Sequence, residues 1–284
     1  MDDRERLRIP GPVVEALACP HCGGGLAASG GALACARGHS FDAARQGYVN
    51  LVVGRPPGAG DDGEMVRARG EFFAAGHYAP LAAALAEHAV RWWSGGLVVD
   101  VGAGTGHHLA AVLDAVPQAH GLAVDVSRYA LRRAARAHPR AGAVGCDVWR
   151  GLPLAAGSAG LLLNVFAPRN GPEFARVLRG DGALLVVTPA AHHLAELRSA
   201  LGLIAVDPRK EERLAAQLRS HFTAGEEERV TVPLRLTRAE TATLVGMTPS
   251  ARHVAPEVLR DRLAGLDEPV EATAAFRVSV YRHR

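Results

Sequence analysis

Residues Val98–Leu109 read VVDVGAGTGHHL. A short apolar run carrying Asp100 is followed by glycines at alternate positions, Gly102, Gly104 and Gly106, and then by a return of helical spacing. This is the order strand, turn, helix. Glycine has no Cβ and tolerates positive φ, so such a turn lets the backbone approach a ligand closely at a helix N-terminus. A dinucleotide fingerprint would place its third glycine at position 107, where this chain has His107. A pyrophosphate ligand is disfavoured, though still open.

The same alternation continues on both sides. Upstream, Met65–Ala75 and Leu81–Trp93 carry helical spacing around the break GHYAP, and Leu97–Val101 is a short buried strand. Downstream, His108–Val116 reads as helix and His120–Val126 as strand. Ser127 then caps a helix over Arg128–His138 that Pro139 ends. Further strands are expected near Ala143–Cys146, Gly160–Val165 and Ala183–Thr188, with a helix over Pro172–Arg179. Strands alternating with helices at this pace imply an α/β fold, a parallel sheet covered on both faces. Val230–Leu236 and the tail Glu271–His283 alternate like strands and would complete an antiparallel edge. Residues Ala190–Leu218 read as a helical insertion or cover.

Two more aspartates fall at strand ends. Asp125 comes nineteen residues after Gly106, where a carboxylate can accept both hydroxyls of an adenosine ribose. Asp147 ends the third strand, in reach of an adenine amino group. Ligands of such sheets sit at the carboxyl ends of the strands, so Asp100, Asp125 and Asp147 point at one crevice. This pattern resembles the class I (Rossmann-like) methyltransferases. The resemblance implies that Asp100–Gly106, with Leu109 closing the motif, cradles the methionine part of S-adenosylmethionine. It places Asp125 on the ribose and Asp147 by the adenine.

The first fifty residues have a different texture. Cys19-Pro-His-Cys22, twelve residues, then Cys35-x-x-x-His39 give four ligands at zinc spacing. Three clustered cysteines cannot pair completely, which argues for metal rather than disulfide in a reducing compartment. His21 competes as a ligand, but lies inside the first knuckle where it would strain the geometry. Four protein ligands leave no open position, so a zinc ion here is structural. A small zinc domain over residues 1–50, a linker over 51–64 rich in Pro, Gly and Asp, and a catalytic domain over 65–284 follow.

Composition sets wider bounds. The chain has 284 residues, 48% of them hydrophobic and 21% charged, which suffices for a full core. No apolar run approaches the ~20 residues needed to span a bilayer. The start, MDDRERLRIP, is charged rather than signal-like, so no membrane partner and a cytoplasmic location are expected. Net charge is +3, so attraction to nucleic acid must come from local patches. Lys210 is the single lysine, and the arginine excess suits phosphate recognition as well as it suits genome composition.

Taken in order, the CPHC…C-x3-H knuckle, FDAARQGYVNL (Phe41–Leu51), AGHYAPL (Ala75–Leu81), the glycine loop and NVFAPRN (Asn164–Asn170) resemble one family. They are similar to the bacterial 23S rRNA (guanine-N1)-methyltransferases that modify a hairpin lining the peptide exit tunnel. GTGHH, NVFAPRN and TPAAHHLAEL resemble the branch that includes tylosin-resistance enzymes, of the guanine(748)-N(1) type, which implies macrolide resistance. The resemblance runs from Leu17 nearly to the C-terminus. It implies that Cys19, Cys22, Cys35 and His39 hold zinc, that Tyr78, His108 and His193 contact the cofactor, that 23S rRNA is the partner, and that the enzyme is a homodimer.

The chain departs from methyltransferases with an N/D-P-P-Y/F turn after the fourth strand. Here that position reads Asn164-Val-Phe-Ala-Pro168, with the aromatic shifted to Phe166. Guanine N1 must lose its proton and be aligned with the methyl carbon, and a base in a hairpin must be splayed out to be reached. Phe166 is expected to stack on it and Asn164 to read its edge. No Asp or Glu lies in Leu161–Asn170, so no general base is assigned. Arg37, Arg45, Arg55, Arg67 and Arg69 are the expected RNA-backbone contacts, while Arg132, Arg133 and Arg136 read as a solvated helix face. Two rival readings remain: a methyltransferase of small molecules or proteins, and a zinc-dependent RNA-binding protein with no catalysis.

Overall fold

The computed structural model describes residues 7–54, 60–203, 216–248 and 253–284. Helix α1 (Gly11–Ala16) opens the chain on Pro10 and buries Val13 and Val14. Three short antiparallel strands follow, β1 (Leu26–Ser29), β2 (Ala32–Cys35) and β3 (Ser40–Asp42). The chain then runs into β4 (Val49–Asn50), which joins the edge of a second, larger sheet.

Asp62 caps α2 (Gly63–Ala74), accepting from the Glu64 and Met65 amides at 3.0 and 2.9 Å. Helix α3 (Ala79–Trp92) leads to β5 (Leu97–Val101), and Gly106 at φ 78° starts α4 (His107–Ala115). Next come β6 (Gly121–Asp125), α5 (Arg128–Ala134), β7 (Ala141–Gly145) and β8 (Ala159–Val165). Ser127 caps α5 by accepting from the Ala130 amide. The remaining elements are α6 (Gly171–Val177), β9 (Leu178–Pro189), α7 (Ala195–Leu201), β10 (Phe222–Leu236), α8 (Arg238–Gly246), α9 (Pro256–Ala264) and β11 (Val270–His283).

The large sheet has the order β10-β11-β9-β8-β5-β6-β7-β4. Its strands are parallel from β9 through to β4, and β11 runs antiparallel to both neighbours. The chain steps outward from β5 to β6 and β7, then returns to build β8 and β9 on the other side. The crevice at the carboxyl ends of β5 and β8 is therefore the topological switch point, where sheets of this kind bind ligands. The mixed, doubly wound sheet bears out the expected Rossmann-like methyltransferase fold.

All five residues of β5 are buried, which requires cover on both faces. Val98, Leu161 and Leu163 pack with Leu81, Leu85 and Val112 on one face. Val99, Leu122 and Val144 pack on the other with Ile9, Val13, Leu17, Leu33 and Phe174. The zinc-spaced segment thus shares an apolar cluster with the large sheet. Gly142 is needed there because a Cβ would come within 2.8 Å of Ile9 Cγ2.

Residues 51–54 continue from β4, with the Leu51 amide donating to Gly145 O at 2.9 Å, and residues 55–59 lie outside the described residues. The expected cover over Ala190–Leu218 is seen as α7, with residues 204–215 outside the described residues. Helix α1 was not expected from sequence. At six residues it is held by packing rather than by intrinsic stability. Among the described residues, no helix is long and apolar enough to cross a membrane.

Candidate functional site

The glycine turn joins β5 to α4 at the switch point. Gly102, Gly104 and Gly106 have φ values of 78°, 54° and 78°, which L side chains rarely adopt. Gly102 and Ala103 donate to Val124 O at 2.8 and 3.1 Å, tying the turn to β6. A Cβ on Gly102 would overlap the Ala167 methyl, and one on Gly106 would come within 2.9 Å of Ala137 Cβ. Two of the three glycines thus answer to neighbouring chain as well as to any ligand.

Asp125, at the end of β6, accepts from the Gly104 amide through Oδ2 and the Ser127 amide through Oδ1, both at 2.8 Å. Burial raises its pKa, and Asp61 nearby adds to the shift. Asp147 caps the turn that follows β7, accepting from the Trp149 amide at 3.1 Å. Asp100 lies deeper: burial, with Asp125 as a second cause, pushes its carboxyl up to about 7. Burial holds His108 down at about 3, so its ring is neutral.

Among the described residues, Asp100 Oδ1, His107 Nε2 and His108 Nδ1 are buried without a hydrogen-bond partner. Buried polar atoms are ordinarily satisfied, and three around one glycine turn mark the seat of a polar ligand. The donor and acceptor set fits S-adenosylmethionine. Leu109, by contrast, turns inward: its side chain is buried in the core, 3.0 Å from where a Gly121 Cβ would stand. It supports the turn from beneath.

Phe276 on β11 gathers three residues singled out in the sequence. Its ring centroid lies 4.9 Å from Tyr78, 5.0 Å from His193 and 5.7 Å from Phe166. Tyr78 is buried, and burial raises its phenol pKa. His193 Nδ1 accepts from the Ala275 amide at 3.1 Å, which leaves the proton on Nε2. Burial lowers this ring to about 4. Phe276 escaped the sequence reading because it sits in an unmarked alternating strand. Only the sheet order, with β11 inserted beside β9, carries it to the site.

Residues 164–170 run from the end of β8. Asn164 is fully buried; its Nδ2 donates to Pro168 O at 2.9 Å and its Oδ1 accepts from Arg169 Nε at 3.1 Å. It holds the loop's shape from within. Phe166 is 48% exposed at φ 53°. A non-glycine residue in this region is strained by about 1–3 kcal/mol, and such strain concentrates at functional sites.

The metal ligands assemble in the small sheet. One ligand atom each from Cys19, Cys22, Cys35 and His39 fall within 4.8 Å of one another. A tetrahedral zinc with bonds of ~2.3 Å to sulfur and ~2.05 Å to nitrogen implies S···S edges of ~3.8 Å and S···N edges of ~3.6 Å. The Cys22–Cys35 sulfurs are 3.8 Å apart, and His39 Nδ1 lies 3.5 and 3.3 Å from Cys19 and Cys35. The four residues fit zinc. His21 stands outside, its ring stacked on Phe41 at 5.8 Å.

Arg37, between the ligands Cys35 and His39 in sequence, and Arg45, after β3, are exposed. Arg67 pairs with Glu71, while Arg69 is drawn away from the surface. It bonds Asp61 and donates to Met247 O at 3.0 Å, with Nη1 over Gly104. Arg55 lies outside the described residues.

Two family models match the chain: the RlmA N-terminal zinc ribbon over residues 17–53, and a methyltransferase domain over residues 98–182. A Micromonospora griseorubida protein, provisionally named a 23S rRNA (guanine-N(1)-)-methyltransferase, is 58% identical over 94% of this chain and 97% of its own. The 23S rRNA (guanine(748)-N(1))-methyltransferase of Streptomyces fradiae is 50% identical over 95% of this chain and 98% of its own. Zinc ribbon, cofactor crevice and end-to-end likeness agree, and the chain belongs to the 23S rRNA (guanine-N1)-methyltransferase family.

Proposed function

We propose that this enzyme methylates N1 of one guanine in a 23S rRNA hairpin lining the peptide exit tunnel, the guanine 748 type, and so confers macrolide resistance. The observation that carries this reading is the 50% identity to the S. fradiae enzyme across both the zinc ribbon and the catalytic domain. No observation favours a small-molecule or protein substrate, or a non-catalytic role.

S-adenosylmethionine, held by the Gly102–Gly106 turn, Asp100 and Asp125, supplies a methyl group on a sulfonium centre. The chain's own task is alignment and exclusion of water. The target guanine, splayed from its hairpin, stacks on Phe166, the exposed aromatic at the end of β8. Asn164 is a positioning residue: by bonding Pro168 and Arg169 it fixes the loop that presents Phe166. His193 and Tyr78 pack on Phe276, and the three rings would wall the site beside Phe166.

In this reading residues 1–50 are the RNA-recognition module, 51–64 the connection and 65–284 the catalytic domain. Arg37 and Arg45 neutralise RNA phosphates. The working form is a cytoplasmic homodimer, which sedimentation of the purified protein would test. Reverse transcription of 23S rRNA from cells with and without the protein tests the activity, because N1-methylguanine blocks pairing. One new stop at a hairpin guanine is expected; identical stop patterns would sink the proposal.

A further inference from the structure

The chain has seven Phe, three Trp and four Tyr, all among the described residues, and only two of these rings are exposed. Phe166 is one, and Trp149, at 57%, is the other. Scattered exposed apolar residues are ordinary. These two are not scattered: both follow the carboxyl ends of strands of the large sheet, on the side where the cofactor turn lies.

Trp149 occupies a short 3-10 turn, Val148–Arg150, whose backbone is fixed from several directions. Asp147 Oδ1 accepts the Trp149 amide at 3.1 Å. Asn170 Nδ2, from the loop that carries Phe166, donates to Val148 O at 2.7 Å. Arg150 Nη1 donates to Val53 O at 2.9 Å, on the segment leaving the zinc module. A large flat ring is therefore held in solvent on a rigid support, between the loop that presents the target base and the path from the zinc ribbon.

We infer that Trp149 is a second stacking platform, taking an RNA base that neighbours the target guanine while Phe166 takes the target itself. This rests on the proposed RNA substrate. Base–aromatic stacking tolerates any base, so Trp149 would set how the flanking strand is laid across the crevice rather than which guanine is read. The competing occupant is the adenine of the cofactor, since Asp147 is two residues away.

The test uses the full-length zinc-loaded protein and a transcript of the 23S rRNA hairpin. W149A is expected to weaken RNA binding by roughly 5- to 100-fold and to raise KM for RNA by a similar factor. Affinity for S-adenosylhomocysteine should change less than about twofold, and W149F should recover most of the loss. In a W92F/W93F background, where Trp149 is the sole tryptophan, the hairpin should quench emission excited selectively from tryptophan and S-adenosylhomocysteine should not. Loss of S-adenosylhomocysteine affinity with RNA binding intact would assign Trp149 to the adenine and overturn the inference. Unchanged RNA binding by W149A would overturn it as well. Failure of the unsubstituted protein to bind or methylate the hairpin would instead strike the RNA substrate, and this inference with it.

Discussion

A Cβ on Gly102 would overlap the methyl group of Ala167. Ala167 belongs to the loop proposed to present the target base and Gly102 to the glycine turn at the cofactor crevice, so the two segments are closely packed. G102A should be doubly costly. The φ of 78° strains any L side chain by about 1–2 kcal/mol, and the overlap adds about 1–3 kcal/mol. Affinity for S-adenosylhomocysteine should fall at least tenfold by calorimetry. A167G alone should leave it nearly unchanged, and G102A/A167G should regain the overlap part but not the strain. Strictly additive losses would mean that the two loops do not communicate.

Zinc should matter beyond the ribbon it organises. Cys19, Cys35 and Leu33 share an apolar cluster with Val99, Leu122 and Val144 of the large sheet. Metal binding to such a site is folding free energy. Chelation, or C22S, should therefore lower the main thermal transition of the whole chain. For a chain of this size about 1 kcal/mol corresponds to a Tm shift of about 2–4 °C, and a loss of several such steps is expected by calorimetry. A ribbon that melts separately, with the main transition unmoved, would show that the shared cluster transmits nothing.

The glycine turn, its flanking strand and helix, and the zinc knuckles were legible because each is a local pattern of residue types. What a local pattern does not reveal is the direction of a side chain. Leu109 and Asn164 stand at motif positions, yet one packs under the turn and the other braces its own loop. Arg69 reads as a surface cation and is instead tied to Asp61 and Met247. Phe276 and Trp149 carry no motif at all; strand order brings the first to the site, and three hydrogen bonds around a short turn place the second.

Asp100 predicts a pH dependence with a definite sign. Its folded carboxyl keeps its proton to about 7, against an ordinary value near 3.8. Folding therefore takes up a proton between those values, and stability is lost as pH rises through them. D100N removes the cost. The apoprotein should gain nothing below about pH 3 and progressively more to about pH 7, then hold a constant advantage on the order of a few kcal/mol. His108 and His193, lowered by burial, lose stability as pH falls below their ordinary value, but they titrate in both proteins and cancel in the difference. Urea unfolding of both proteins at several pH values measures it. A pH-independent difference would remove Asp100 from the account.

Asn164 braces a loop whose buried guanidinium, Arg169, bonds the same side chain. N164A removes the acceptor for Arg169 Nε and the donor to Pro168 O together. Losing a partner of a buried polar group costs about 1–3 kcal/mol, so some stability should go. Turnover should fall by far more than stability alone explains, because Phe166 is held in its strained conformation by this loop. S-adenosylhomocysteine affinity should stay nearly intact, since the Gly102–Gly106 turn and Asp125 are untouched. N164D would keep an acceptor for Arg169 but lose the donor to Pro168, and should fall between the two in turnover. If N164A instead abolishes cofactor binding at unchanged stability, Asn164 belongs to the cofactor pocket and the loop is braced elsewhere.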